Sequence, residues 1–362
     1  MKTQPAGGFR DPSRPAGFHA RRVPAGTKEK RILESITKNR QSPQTLRAMV
    51  AWAYGPDQVP VGEETWVGEL GHGWFNVAYR IHLRDGSQVV LKIAPPPGVE
   101  VMTYERGAMA TELAALRLVR ERTSVPVPAV DFSDTSHELC DADYFFMPYI
   151  DADNLGIVRE SLPAADLDAC NEALGAANRE LNAIRGSGFG PLSGPLQPSW
   201  RAAFTGMAED VLRDGERRGV DLGWDYDLIR SVFAEHALCL EEVVEPRYVE
   251  WDLWDGNAMV RDGKIVSIID HERAFWGDPL IEAGFTGIEL PDFGDPTAFM
   301  RGYGQGPLTG SERVRRRLYC LYLVLIMVIE TVYRAHADTR QYDWARGQLD
   351  QLMAKFGRRS PR

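Results

Sequence analysis

Cysteine is scarce in this chain of 362 residues: Cys140, Cys170, Cys239 and Cys320 stand far apart, and no two form a C-x-x-C pair. That spacing argues against a disulfide framework and against a thiolate zinc site, and scattered thiols suit a reducing cytosol. Long apolar runs are missing as well. The most apolar stretch, Leu318 to Ile329, stops at Glu330; it is too short to cross a bilayer and reads as a buried helix. The N-terminal residues carry charge but no apolar core of a signal peptide. Positive charge is not in excess, since the formal net charge is −9. Nucleic-acid binding favours a basic face, so that function class is disfavoured. Together these absences predict a cytoplasmic protein with neither a membrane nor a nucleic acid as its partner.

What is present is enough for a large core: 44% of residues are hydrophobic and 10% aromatic. The length suggests two lobes. Residues 1–43 read as a basic, flexible tail and the first helix, with the Arg21-Arg22 pair in solvent. Ser42-Pro43 opens a helix and Gly55-Pro56 ends it. Residues 44–150 then read as a small lobe. Strands are expected at 65–70, 77–83 and 89–93, with Asp85-Gly86 as a hairpin turn between the last two. A helix over 111–121 and strands at 130–132 and 144–147 complete it. Residues 151–362 read as a larger, mainly helical lobe. Its helices are expected at 166–184, 202–212, 226–243, 313–337 and 342–356. A short hairpin is embedded in it, with strands at 258–260 and 265–269 turned by Asp262-Gly263. The class is α+β.

The segment with most chemistry is Glu250-Trp251-Asp252-Leu253-Trp254-Asp255-Gly256-Asn257, followed one hairpin later by Ile269-Asp270-His271-Glu272-Arg273. Phosphoryl transfer to a hydroxyl needs a carboxylate that orients the acceptor and takes its proton. It also needs oxygen ligands for a magnesium ion bridging the phosphates. Asp252 suits the first role, and Asn257 and Asp270 suit the second. Any one of them alone is ordinary turn or cap chemistry; the ordered set carries the argument. Upstream, Gly68-Glu69-Leu70-Gly71-His72-Gly73-Trp74-Phe75-Asn76 joins two strands, and its glycines allow backbone N–H groups to approach phosphates. No Gly-Lys-Ser/Thr follows, so it is not a Walker A loop. Lys92 stands inside the apolar strand Val89-Val90-Leu91-Lys92-Ile93, where an amine requires a partner. Nucleotide phosphates and Glu112 on the next helix are the proposed partners.

These blocks resemble the aminoglycoside phosphotransferase superfamily, the small-molecule relatives of protein kinases, over residues 44–356. The resemblance implies a bilobal protein-kinase-like fold, with a small β-rich N-lobe and a larger, mainly helical C-lobe. ATP or GTP and Mg2+ would lie in the cleft between them. It places Gly71, Gly73 and Asn76 in the nucleotide-positioning loop and pairs Lys92 with Glu112. Tyr144 to Ile150, including Met147 and Tyr149, falls where the family has its hinge against the base. Asp252 falls at the catalytic base, and Asn257 and Asp270 at the metal ligands. Gly277-Asp278-Pro279 falls at the turn downstream of the metal-binding segment. Two positions depart from the family pattern. Glu250 stands where the family has a histidine that props the metal-binding segment, and His271 where it often has an aromatic. The acid would add negative charge near Asp252 and Asp270.

The acceptor would be a small molecule bearing a hydroxyl. Trp276, Glu282, Glu289, Asp292, Asp295 and Glu330 are the candidates to line its pocket, since family members that take cationic sugars use acidic pockets. The expected activity is inactivation of an antibiotic of aminoglycoside, macrolide, peptide or nucleoside type. A metabolic kinase for a sugar or amino alcohol is the alternative, and Glu250 motivates a third reading as a non-catalytic nucleotide-binding protein.

Overall fold

The structure is a computed structural model that describes residues 35–62, 65–71, 73 and 75–359. The basic tail expected up to residue 28, and His72 and Trp74 of the glycine-bearing loop, lie outside the described residues.

Helix α1 (Pro43–Tyr54) begins where its chemistry dictates. The Ser42 side chain accepts from the Thr45 N–H, proline stands in the first turn, and Gly55 leaves at φ 92°. The helix fills the interval delimited by Ser42-Pro43 and Gly55-Pro56. Its Leu46, Met49 and Val50 cover one face of a five-stranded antiparallel sheet. The strands are β1 (Val67–Glu69), β2 (Val77–His82), β3 (Gln88–Ile93), β4 (Phe132–Asp134) and β5 (Tyr144–Pro148), in the order β1-β2-β3-β5-β4.

The period of two along these strands decides where Lys92 points. Val77, Tyr79 and Ile81 on β2, Leu91 and Ile93 on β3 and Phe146 on β5 join the cluster under α1. Val90, Phe145 and Met147 project to the other face, toward helix α2 (Ala108–Arg122) and the C-lobe core. Lys92 shares that second face, so its amine is aimed between sheet, helix and C-lobe.

The chain leaves β5 and crosses to β6 (Asp153–Asn154), which pairs with β9 (Ala258–Arg261); β9 pairs in turn with β10 (Lys264–Ile268). A second small sheet joins β7 (Gly190–Pro191), β11 (Phe275–Gly277) and β8 (Arg247–Val249). Around them pack α3 (Leu155–Val158), α4 (Ala164–Leu181), α5 (Trp200–Arg217), α6 (Tyr226–His236), α7 (Thr297–Tyr303), α8 (Gly310–Tyr333) and α9 (Arg340–Lys355). The helix expected over 226–243 is α-helical only to His236. It ends as a tighter 3-10 turn that buries Ala237 and Leu240, three residues apart.

The apolar run at 318–329 is the buried middle of α8, a helix opened by a Thr309–Glu312 capping box. Among the described residues no helix is long and apolar enough to cross a membrane. α8 meets an aromatic cluster of Trp200, Phe204, Tyr319 and Tyr322, with Trp251 and Phe275 at its upper edge.

Polar contacts join the small lobe to the large one. Thr103 donates its N–H (2.6 Å) and hydroxyl (2.8 Å) to Asp214, and Arg334 donates to Glu105 (2.8 Å). They hold the segment before α2 against α5 and the end of α8.

Candidate active site

The loop 250–257 leaves β8 at Val249 and enters β9 at Ala258 through a 3-10 turn, Asp255–Asn257. Trp251 has φ 65° and Asp270 has φ 64°, left-handed values that a side chain disfavours. Such backbone costs about 1–3 kcal/mol per residue and persists only where surroundings over-determine it. For the loop, Glu282 supplies that determination. Its buried carboxyl group accepts the N–H of Trp251 (2.9 Å), of Leu253 (2.9 Å) and of Ala283 (3.0 Å). Leaving a buried N–H unpaired costs about 1–3 kcal/mol, so these bonds outweigh the strain at Trp251. Burial pushes the Glu282 pKa up to about 8 against the pull of those N–H groups. Glu282 is fully occupied beneath the loop and does not line an acceptor pocket, which corrects the sequence expectation.

Between these strained residues the expected groups come together. Asp252 is half-buried, and Asn257 Nδ2 donates to its carbonyl (2.9 Å) and to its Oδ2 (3.1 Å). Across the site, the Lys92 ammonium donates to both Glu112 oxygens (2.6 and 2.9 Å) and to Asp270 Oδ1 (2.6 Å). One amine thus ties β3, α2 and the segment after β10 together. Burial would lower the Lys92 pKa, but Asp270, Glu112 and Glu272 more than offset it and hold the amine charged. Burial likewise works to raise Asp270, and the Lys92 charge overrides it and keeps the acid below the ordinary aspartate value. Asp252 is pushed up, first by burial and then by Asp270, while Arg273 pulls the other way.

The donor set fits a hard cation. Asn257 Oδ1 and Asp270 Oδ2 accept no hydrogen bond among the described residues, and both belong to residues already fixed through their other atoms. Mg2+ takes few protein oxygens and completes its shell with water and phosphate. Asn76, at the end of the glycine-bearing loop, donates to Glu272 Oε2 (2.6 Å) and so reaches the segment that carries Asp270. Burial, with Glu112 and Asp270 nearby, pushes Glu272 up to about 7.

Where the hinge is expected, Met147 is buried on β5 opposite Val90, and the Tyr149 ring carries the Arg80 guanidinium 4.1 Å from its centroid. The remaining acceptor candidates are not brought together at Asp252 by any contact among the described residues. Trp276 lies on β11 against the Tyr248 ring. Asp292 accepts from Gln348 (2.7 Å), and Glu330 is engaged by Arg334 (3.0 Å) and Gln341 (2.6 Å).

Sequence reasoning missed Arg273. Its Nε is 3.9 Å from Asp252 Oδ2, and its guanidinium lies 5.4 Å from both the Tyr104 and Trp251 ring centroids. Adjacency to Asp270 was the available signal, but the two aromatic walls come from other elements. The downstream turn is legible: Asp278 accepts from Leu280 N–H, Arg315 (2.9 Å) and Tyr319 (2.6 Å), and a Cβ on Gly277 would lie 2.8 Å from the Trp200 ring.

A five-stranded antiparallel lobe carrying a Lys–Glu pair, over a helical lobe carrying Asp252, Asn257 and Asp270, defines the kinase-like phosphotransferase fold. The sequence profile of the phosphotransferase enzyme family, APH, matches residues 66–319, and the chain belongs to that family. Several solved structures share the fold. One is a thermostable mutant of aminoglycoside phosphotransferase APH(4)-Ia in ternary complex with AMP-PNP and hygromycin B. It is 20% identical at a TM-score of 0.61, over 86% of this chain and 99% of that one. Another is a proposed fructosamine-3-kinase from Thermobifida fusca, 18% identical at 0.61, over 87% and 100%. A third is the streptomycin–ATP–APH(2")-IIa complex, 15% identical at 0.56, over 89% and 98%. No curated protein matches the chain in sequence.

Proposed function

We propose that this protein transfers the γ-phosphoryl group of a magnesium-bound nucleoside triphosphate, ATP or GTP, to a hydroxyl of a small molecule. The observation that carries the reading is the Lys92 amine held 2.6 Å from both Glu112 and Asp270, with Asp252 and Asn257 joined on the facing loop. Asp252 accepts the hydroxyl proton while the acceptor's oxygen bonds to the γ-phosphorus and the bond from that phosphorus to the bridging oxygen breaks, releasing the diphosphate. Asn257 and Asp270 would hold Mg2+, which when bound neutralises phosphate charge. Lys92 and the glycine-bearing loop orient the phosphates.

The favoured acceptor is an antibiotic hydroxyl, supported by relatives of this fold crystallised with hygromycin B and streptomycin. The fructosamine kinase relative supports a metabolic acceptor as the second reading. A non-catalytic role is disfavoured because Glu250, its motive, has a charge partner in His271. Nucleotide consumption with Mg2+ across a panel of antibiotics and sugar or amino-alcohol metabolites tests all three. Turnover of a drug with protection of a susceptible host supports the first reading. Turnover of metabolites alone supports the second. Equal rates for wild type and Asp252→Ala would sink both.

A further inference from the structure

Lys38 is a buried amine that the machinery above leaves unused. It stands before α1, is 8% exposed, and among the described residues donates a single hydrogen bond of 2.7 Å, to the carbonyl of Asn76. Gly73 of the same loop faces it, since a Cβ on that glycine would lie 3.8 Å from Nζ. The segment carrying Lys38 is anchored to β1 and β2. The Arg40 guanidinium grips Glu69 through two bonds (2.8 and 3.3 Å), the Gln41 N–H donates to the Tyr79 hydroxyl (3.2 Å), and Ser42 caps α1.

An ammonium has three donors and here spends one, on a neutral carbonyl. Among the described residues no carboxylate forms an ion pair with it, although Glu69, Asp270 and Glu272 act on it through space. Burying a charge this way is costly unless an anion arrives. Lys92, by contrast, already directs its donors at Glu112 and Asp270, so it meets a phosphate only by releasing or sharing one of those contacts. The amine with donors to spare at the glycine-bearing loop is therefore Lys38.

We propose that Lys38 is a second phosphate-binding amine, held beside Gly73 and Asn76 of the glycine-bearing loop by the segment 35–41. The inference rests on reading the cleft as a nucleotide site. It makes the residues ahead of α1 part of the nucleotide clamp. The competing role is a brace that holds the Asn76 carbonyl and touches no ligand.

Equilibrium binding of Mg-ATP, Mg-GTP, adenosine and guanosine to wild type, Lys38→Met and Lys38→Arg separates the roles. Lys38→Met should weaken the better triphosphate by about tenfold or more, the loss of one charge-assisted bond, and leave the nucleoside within about twofold. Lys38→Arg should restore part of the loss. The melting temperature of Lys38→Met without ligand should be no lower than wild type, because a buried charge lacking an anionic partner has been removed. Lys38→Gln serves in its place if the methionine variant does not fold. Equal losses for triphosphate and nucleoside, or no loss for either, would overturn the proposal while leaving the site reading intact. Failure of the wild type to bind any of the four would overturn both.

Discussion

The Glu250 carboxylate and the His271 imidazole meet 2.8 Å apart beneath the catalytic loop, each almost fully buried. Glu250 Oε2 accepts from the Tyr248 hydroxyl (2.6 Å), and His271 Nε2 bonds the Ile268 carbonyl (3.0 Å). His271 Nδ1 and Glu250 Oε1 face each other at ion-pair distance without an aligned hydrogen bond, so the attraction between them is one of charge. Burial would lower its pKa, but Glu250 prevails and raises it. The two departures from the family pattern are therefore one feature. The acid on the loop and the histidine one residue past Asp270 face each other as a buried pair.

A first prediction concerns this pair. Glu250→Ala should destabilise the fold by about 3–5 kcal/mol, because it leaves a buried partner unpaired. Judged from the loop alone, Glu250→His looks harmless. Opposite His271 it sets two imidazoles against each other, and it should lower both stability and activity. Adding His271→Phe should recover part of the loss. Urea melts of the two single variants and the double variant measure the coupling, expected at about 0.5–3 kcal/mol. Additive effects would mean that the pair does not act as a unit.

Asp252→Asn should lower kcat by roughly 10²- to 10⁴-fold with a modest change in nucleotide KM, since proton acceptance matters in the transition state. The base must be ionised, so kcat/KM falls as pH drops through its pKa. Burial raises that pKa, and the acidic limb should lie above the ordinary aspartate range. Arg273 opposes the rise, so Arg273→Ala should move the limb to still higher pH. A pH profile of both proteins checks the direction, and a limb that moved downward would contradict it.

Removing the amine in Lys92→Ala should raise nucleotide KM by about tenfold or more, the scale of one charged hydrogen bond of roughly 1.5–3 kcal/mol. Glu112→Ala should act in the same direction through the position of the amine, because Glu112 receives two of its bonds. Initial-rate kinetics with the nucleotide varied decide the matter. Unchanged KM in Lys92→Ala would refute its assignment to the phosphates.

Glu282→Ala should cost several kcal/mol, since each of three backbone N–H groups loses its partner at about 1–3 kcal/mol. Glu282→Gln keeps one acceptor oxygen and should cost less. The folded pKa of about 8 lies above the ordinary 4.5, so the folded state holds an extra proton between those values. This group's contribution to stability is full below about pH 4.5 and is lost as pH rises toward 8. Melting temperatures from pH 5 to 8 should fall less steeply for Glu282→Gln than for wild type.

Short-range chemistry along the chain sets which local elements form and in which order the reactive groups follow one another. Ser42-Pro43 and Gly55 delimit α1, alternation in 77–82 and 88–93 makes the strand pair, and Asp262-Gly263 turns the embedded hairpin. These are short-range effects of capping, φ preference and side-chain period, and they can be read along the chain. Asp252, Asn257 and Asp270 are legible for the same reason: one hairpin carries them.

Tertiary structure alone decided the partners that arrive from distant elements. Glu282 carries the same acidity in the sequence as Asp292, yet only packing put it beneath Trp251 and Leu253. The expectation of an acceptor-lining acid failed there because charge says nothing about direction. His271 acquires its meaning from Glu250, and Arg273 from Tyr104, Trp251 and Asp252. Lys38 acquires its own from the Asn76 carbonyl, 38 residues away. Whether a charged group is solvated, paired or held for a ligand depends on burial and on which dipoles surround it. Those are properties of the packed interior, and no pattern of neighbours along the chain encodes them.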